Sequence, residues 1–257
     1  MINWNNWQAY DHYGYAIVAI VGTFAAVAVI HRLMSRSPLT PWIRSLSGVV
    51  PPFINIIGVL FGLTLAFLAN DTWSAHDRAM NAVYKEADGL RSLLVLVNGL
   101  DDTWRPQLSE RLADYAQNTV AEWPLLGQRR VSEAVDAKGD RILSLLASKQ
   151  LAEAAGVNVQ ALMLREATEI RDQRNLRISL SRTHVNPLKW LGMAFLGLLT
   201  LLSIAAVHAE NARASLVATL LFALSAAPTA AIVLIQGNPF QEPAAVSPVP
   251  ISAAVAR

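Results

Sequence analysis

Histidines, carboxylates and arginines are the side chains of this sequence that could move protons, hold metals or bind anions, and their spacing decides which. His12, His31, His76, His184 and His208 are scattered along the chain. His76 and Asp77 are adjacent, so a helix turns them about 100° apart and no local metal pair forms. There is no cysteine, hence no disulfide, thiolate ligand or sulfur nucleophile. HExxH, a glycine-rich phosphate loop and GxSxG are all absent. The expectation is a protein that is not an enzyme, with no catalytic residue, no metal site and no cofactor.

Arginines cluster at Arg165, Arg171, Arg174, Arg177 and Arg182. Near a membrane such a group could draw anions into a vestibule or bind acidic lipid head groups. Glu166, Glu169 and Asp172 lie at helical pairing distances, which favours a solvated helix face laced by ion pairs.

The elements that carry these groups follow from charge distribution. Only 16% of the 257 residues are charged, and residues 71–189 hold 16 of the 21 Lys/Arg and 16 of the 19 Asp/Glu. The net charge of +2 is small and mixed, so nucleic acid is not an expected partner. A hydrocarbon core of ~30 Å needs about 20 apolar helical residues. Four stretches meet that length: Tyr15–Met34, Val49–Asn70, Pro187–Val207 and Ala214–Gln236. Trp4, Trp7, Tyr10, Tyr13 and Tyr15 form an aromatic belt ahead of the first. No basic residue precedes Arg32, so no cleaved signal peptide is expected. Pro38, Pro41 and Trp42 turn the short link from the first span to the second. His208–Arg213 joins the third to the fourth, giving two hairpins.

The second span carries the most suggestive spacing. Pro51 and Pro52 open it, where missing amide hydrogens cost nothing. Gly58, Gly62 and Ala66 recur every four residues, which lets backbones approach closely or leaves room along a pathway. Asn55, Thr64 and Asn70 are its polar groups, and polar side chains in membrane helices face protein or water. Asp71 follows at the mouth. The candidate lining is therefore Gly58, Gly62, Ala66 and Asn70 with Asn55 and Thr64. Leu60, Leu63 and Phe67 form the competing face.

Between the hairpins, residues 71–186 read as a helical insert. Helical spacing of apolar residues marks Gln107–Trp123, Ser132–Ser148 and Asn158–Arg182, with Ser132 as an N-cap. The basic residues flanking the insert, among them Arg78, Lys85, Arg171, Arg174, Arg177, Arg182 and Lys189, outnumber Arg32, Arg36, Arg44 and Arg213 on the other side. The positive-inside rule then puts the insert and both termini in the cytoplasm. The expected domains are 1–70, 71–186, 187–236 and a tail, 237–257.

Trp73, Asp77, Ala79, Glu86 and Ala87, then Trp123-Pro124, then Asn238-Pro239-Phe240 and Val246-Ser247-Pro248, occur in an order that resembles a large bacterial family of bestrophin-like membrane proteins. The resemblance spans about residues 55–250. That family is similar to bestrophins proper, in which the pore helix is followed by Tyr-Asp-Arg, here His76-Asp77-Arg78, and the last span by Asn-Pro-Phe. Bestrophins are ring-shaped homopentameric anion channels. The resemblance implies a self-assembling ring, most simply a pentamer, in a bacterial inner membrane, passing small inorganic ions. Two departures stand out. Where bestrophins narrow the pore with large apolar residues, an ungapped match puts Gly62, Ala66 and Asn70, which cannot close a pore by dewetting. Where calcium-gated members carry an acidic run after Asn-Pro-Phe, this chain has Gln241-Glu242-Pro243, too few carboxylates for Ca²⁺.

The expected fold is thus an all-α membrane protein with four transmembrane helices in two hairpins and a helical cytosolic insert between spans two and three. The expected function is a homo-oligomeric, anion-permeable channel lined by the second span. The alternative is a non-conducting scaffold or sensor whose insert binds a partner, marked by an exposed apolar patch. A secondary transporter would show broken helices in both halves. Pro228 lies near the middle of the fourth span, and the second span has no matching break.

Overall fold

The computed structural model describes residues 10–36, 50–183 and 186–256. Trp4 and Trp7 of the expected aromatic belt, and the link with Pro38, Pro41 and Trp42, lie outside them. The described residues form ten α-helices and no strand: α1 (Asp11–Arg36), α2 (Pro51–Asn98), α3 (Trp104–Ala121), α4 (Trp123–Gly127), α5 (Glu133–Leu146), α6 (Lys149–Ala155), α7 (Val157–Ser181), α8 (Pro187–Val207), α9 (Ala212–Ile235) and α10 (Val249–Val255). Four of them, α1, α2, α8 and α9, are long and apolar enough to cross a membrane, in agreement with the all-α, four-span expectation. The chain divides into two compact units, Met1–Trp73 with His184–Gly237, and Ser74–Thr183 with Asn238–Arg257. The tail after the last span therefore groups with the polar insert.

In the apolar unit, helix starts are set by local chemistry. Asn186 caps α8 by accepting from the amides of Leu188 and Lys189, with Pro187 in the first turn, and Asn211 caps α9 through Arg213 and Ala214. The main packing partner of α1 is α9, and α8 touches both. Val27, Ile30 and Met34 meet Leu201, Ala205 and Ala223 in one buried cluster. The buried face of α9 carries Ala223, Ala226, Ala227, Ala230 and Ala231, small enough for helices to come close without a hydrophobic drive from water.

The membrane part of α2 joins this unit along one seam. Leu68 is buried with Met193 and Ala230, and Phe61 and Leu65 pack on them. Phe61 also lies 5.3 Å, ring to ring, from Phe222.

In the polar unit, the second part of α2 buries Ala79, Val83, Ala87, Leu90, Leu93 and Val97 against α3, α5, α7 and α10. An added Cβ on Gly89 would stand 2.9 Å from Ile170, so α2 and α7 approach closely there. Ser132 takes the N-cap position of α5, as expected, although its hydroxyl makes no capping bond. The tail closes the unit: Phe240 meets Trp123 edge-on at 5.6 Å, and the Trp123 indole donates to the Val246 carbonyl at 2.6 Å.

Candidate functional site

At 3.6 residues per turn, Phe61, Leu65 and Leu68 share one side of α2, and that side is its seam. Most of the remaining surface of this part of α2 is exposed within the described residues of this unit, although Ala69 is also buried. Gly62, Ala66 and Asn70 are exposed, as is Asn55 one turn before the stripe begins; Gly58 is half-buried. A Cβ added to Gly58 or Gly62 would meet nothing within 4 Å. The Thr64 hydroxyl donates to the Leu60 carbonyl at 2.8 Å and so is satisfied inside its own helix. The competing residues Leu60, Leu63 and Phe67 are also exposed. The two faces lie roughly a quarter turn apart, both away from the seam.

Asp71, placed by the sequence at the mouth, is not a lone charge. The Lys189 ammonium at the start of α8 donates to its carboxylate at 2.6 Å, with both side chains more than half exposed. On the other flank of α2, the Trp73 indole donates to the Gln236 side-chain oxygen at 2.9 Å. The end of the apolar stretch is thus held to α8 on one flank and to the end of α9 on the other. Sequence reasoning had both Asp71 and Lys189 but no means of pairing residues 118 apart.

The polar unit holds a second constellation. Arg177 and Glu86 are both fully buried. The guanidinium donates twice to the carboxylate, at 2.6 and 3.0 Å, a bidentate geometry that gives the strongest charge-assisted bonds. Glu86 also accepts from the Tyr115 hydroxyl at 3.0 Å, and the Arg177 guanidinium lies 4.8 Å from the Trp123 ring centre. Arg174 donates to both oxygens of buried Glu122, at 2.8 and 3.3 Å, and to the carboxylate of Asp136. Glu122 in turn accepts the Ser132 amide at 2.8 Å. The solvated-face reading of Arg174 and Arg177 is therefore overturned: their partners come from α2, α5 and the residue between α3 and α4. Arg171, with Asp140 at 3.6 Å and about 60% exposed, does behave as a surface pair. His76 and Asp77 are not part of the cluster. No group of three or more potential metal ligands occurs among the described residues.

The electrostatics follow from burial. Desolvation, reinforced by the charge of Glu86, holds the Tyr115 phenol well above its ordinary value of 10.0. Desolvation opposes the charge on Arg174, but the Glu122 hydrogen bond and charge outweigh it and leave its pKa raised. For Tyr115 the folded state prefers the protonated form. Its contribution to stability is complete below about pH 10 and is lost as pH rises through the higher folded value. In an ultraviolet titration the Tyr115 phenol is expected to ionise only with alkaline unfolding, and Tyr115→Phe should remove that late step. A late step that survives in the variant would assign it to another tyrosine.

A family model described as Bestrophin-like domain matches residues 17–251. No curated protein and no solved structure matches the chain. The matched region takes in most of α1, the whole of α2, α8 and α9, both constellations and the Asn238-Pro239-Phe240 turn that follows the last span. A match over so much of its length means that the chain belongs to the bestrophin-like family.

Proposed function

We infer that this protein is a homo-oligomeric ion channel, anion-permeable, in which copies of the first part of α2 surround a central pathway. The observation that carries this reading is the state of that helix. It is tied to its own chain along one seam and at one end, while its remaining directions present open glycine positions and exposed asparagines. An asparagine facing hydrocarbon is costly, so such positions need protein or water beside them. A ring of copies supplies both. Gly58, Gly62, Ala66 and Asn70 form the lining, with Asn55 on the same side and Asp71 at the mouth; Thr64, two residues from both Gly62 and Ala66, lies across the helix from them. A pentamer is the assembly proposed from the family. The insert and both termini lie in the cytoplasm of a bacterial inner membrane.

The alternative, a non-conducting scaffold, has one observation in its favour. Met80, Tyr84 and Val95 are exposed along the second part of α2, an apolar group that a partner could cover.

Current across planar bilayers containing the purified oligomer, in asymmetric chloride salt, separates the two. Discrete conductance that reverses near the chloride potential, and is lost or altered in Asn70→Trp, is the expected result. Silence from an intact oligomer under varied pH, calcium and voltage favours the scaffold. Reversal near the cation potential removes the anion assignment alone.

A further inference from the structure

We propose that Lys189 sets the charge selectivity of this channel by neutralising Asp71, an inference that rests on the reading of α2 as the pore helix. Asp71 is the first charged residue of α2 after the uncharged run from Pro51 to Asn70, and lies one residue beyond the proposed lining. In a ring of copies it recurs once per subunit. A ring of bare carboxylates at a pore mouth is how cation channels concentrate their ions and repel anions. Here each carboxylate has an ammonium 2.6 Å away.

The lysine is placed for this by its own helix. It is the only charged residue of α8, and its amide is part of the Asn186 cap that fixes where the helix begins. On the opposite flank the Trp73–Gln236 bond holds the same turn of α2, so the pair does not depend on a freely swinging helix end. Asp71 and Lys189 together present a dipole of short range in place of a ring of negative charge. An anion then meets no net repulsion at this level.

The test is the reversal potential of Lys189→Gln in asymmetric chloride salt. Unmasking Asp71 is expected to lower the anion-to-cation permeability ratio about tenfold, the low end of the concentrating effect of a like-charged cleft. The shift should fade between 0.1 M and 1 M salt, as the screening length drops from about 10 Å to about 3 Å. Asp71→Asn/Lys189→Gln should return the ratio to that of the wild type, and Lys189→Arg should leave it unchanged. If Lys189→Gln does not assemble, Asp71→Asn decides: it leaves surplus lysines, and the ratio should rise. A conducting wild type whose ratio is the same in both single variants overturns the proposal and leaves the channel standing. A double variant that stays shifted also overturns it, because lysine would then act by its own charge or by packing. A silent wild type removes the channel reading and this inference with it.

Discussion

Arg177→Ala is expected to destabilise the polar unit by about 3–5 kcal/mol, the cost of leaving a buried carboxylate without its partner. Glu86 and Arg177 are each fully excluded from solvent, so water cannot replace the lost guanidinium. The variant also loses the contact of the guanidinium with the Trp123 face, worth about 0.5–2 kcal/mol. Glu86→Ala strands the arginine and, with it, the Tyr115 hydroxyl. The two losses are not additive. Glu86→Leu with Arg177→Met removes both charges, and replacing a buried pair by apolar groups of similar volume is often neutral. The double variant should therefore be much closer to wild type than either single alanine variant, with about 1 kcal/mol lost at the Tyr115 hydroxyl. Thermal unfolding of the full chain in detergent, followed by helical circular dichroism, measures the difference. A single-variant cost below about 1 kcal/mol, the level of a surface pair, would show that the charges are solvated.

That pair was legible in part. In α7 the buried positions include Met163, Ala167, Ile170, Arg174, Arg177 and Ser181, a run spaced by fours and threes, with Leu180 beside it. In α2 the buried run Ala79, Val83, Glu86, Leu90, Leu93 and Val97 keeps the same rhythm. A charged residue that falls in step with an apolar stripe is a buried charge in need of a partner. That rule would have lifted Glu86, Arg174 and Arg177 out of the solvated category. Local pairing hid it, because Glu166, Glu169 and Asp172 offered nearer carboxylates with acceptable spacing. Which carboxylate an arginine reaches depends on helix packing, and the Glu86–Arg177 separation of 91 residues carries no local mark.

The membrane helices were the easiest to read, since length and lack of charge define them almost completely. Pro187–Val207 begins and ends where the hydropathy pattern places it. The continuation of α2 from Pro51 through Asn98 as one helix follows from the absence of proline after Pro52. Its packing did not follow. The seam at Phe61, Leu65 and Leu68 is no more apolar than Leu60, Leu63 and Phe67, and in a helix apolar all round the sequence does not mark a preferred side. In the structure the seam is occupied by packing, and the small-residue stripe and the leucine–phenylalanine face are the two exposed faces.

Those faces make opposite demands on water, and the absence of cysteine from the chain makes the difference measurable. Each cysteine introduced along α2 is the only thiol in its subunit. A water-soluble, charged thiol reagent labels positions that contact the pathway and leaves those in hydrocarbon or in the seam untouched. In a conducting oligomer, cysteines at Gly62, Ala66 and Asn70 are expected to react and to block current almost completely, because the adduct repeats in every subunit. Cysteines at Phe61, Leu65 and Leu68 are expected to stay inert. Block at Leu60, Leu63 and Phe67 instead would keep α2 as the pore helix and rotate it by roughly a quarter turn. Current that is insensitive to modification at every one of these positions would contradict the claim that α2 lines the pathway.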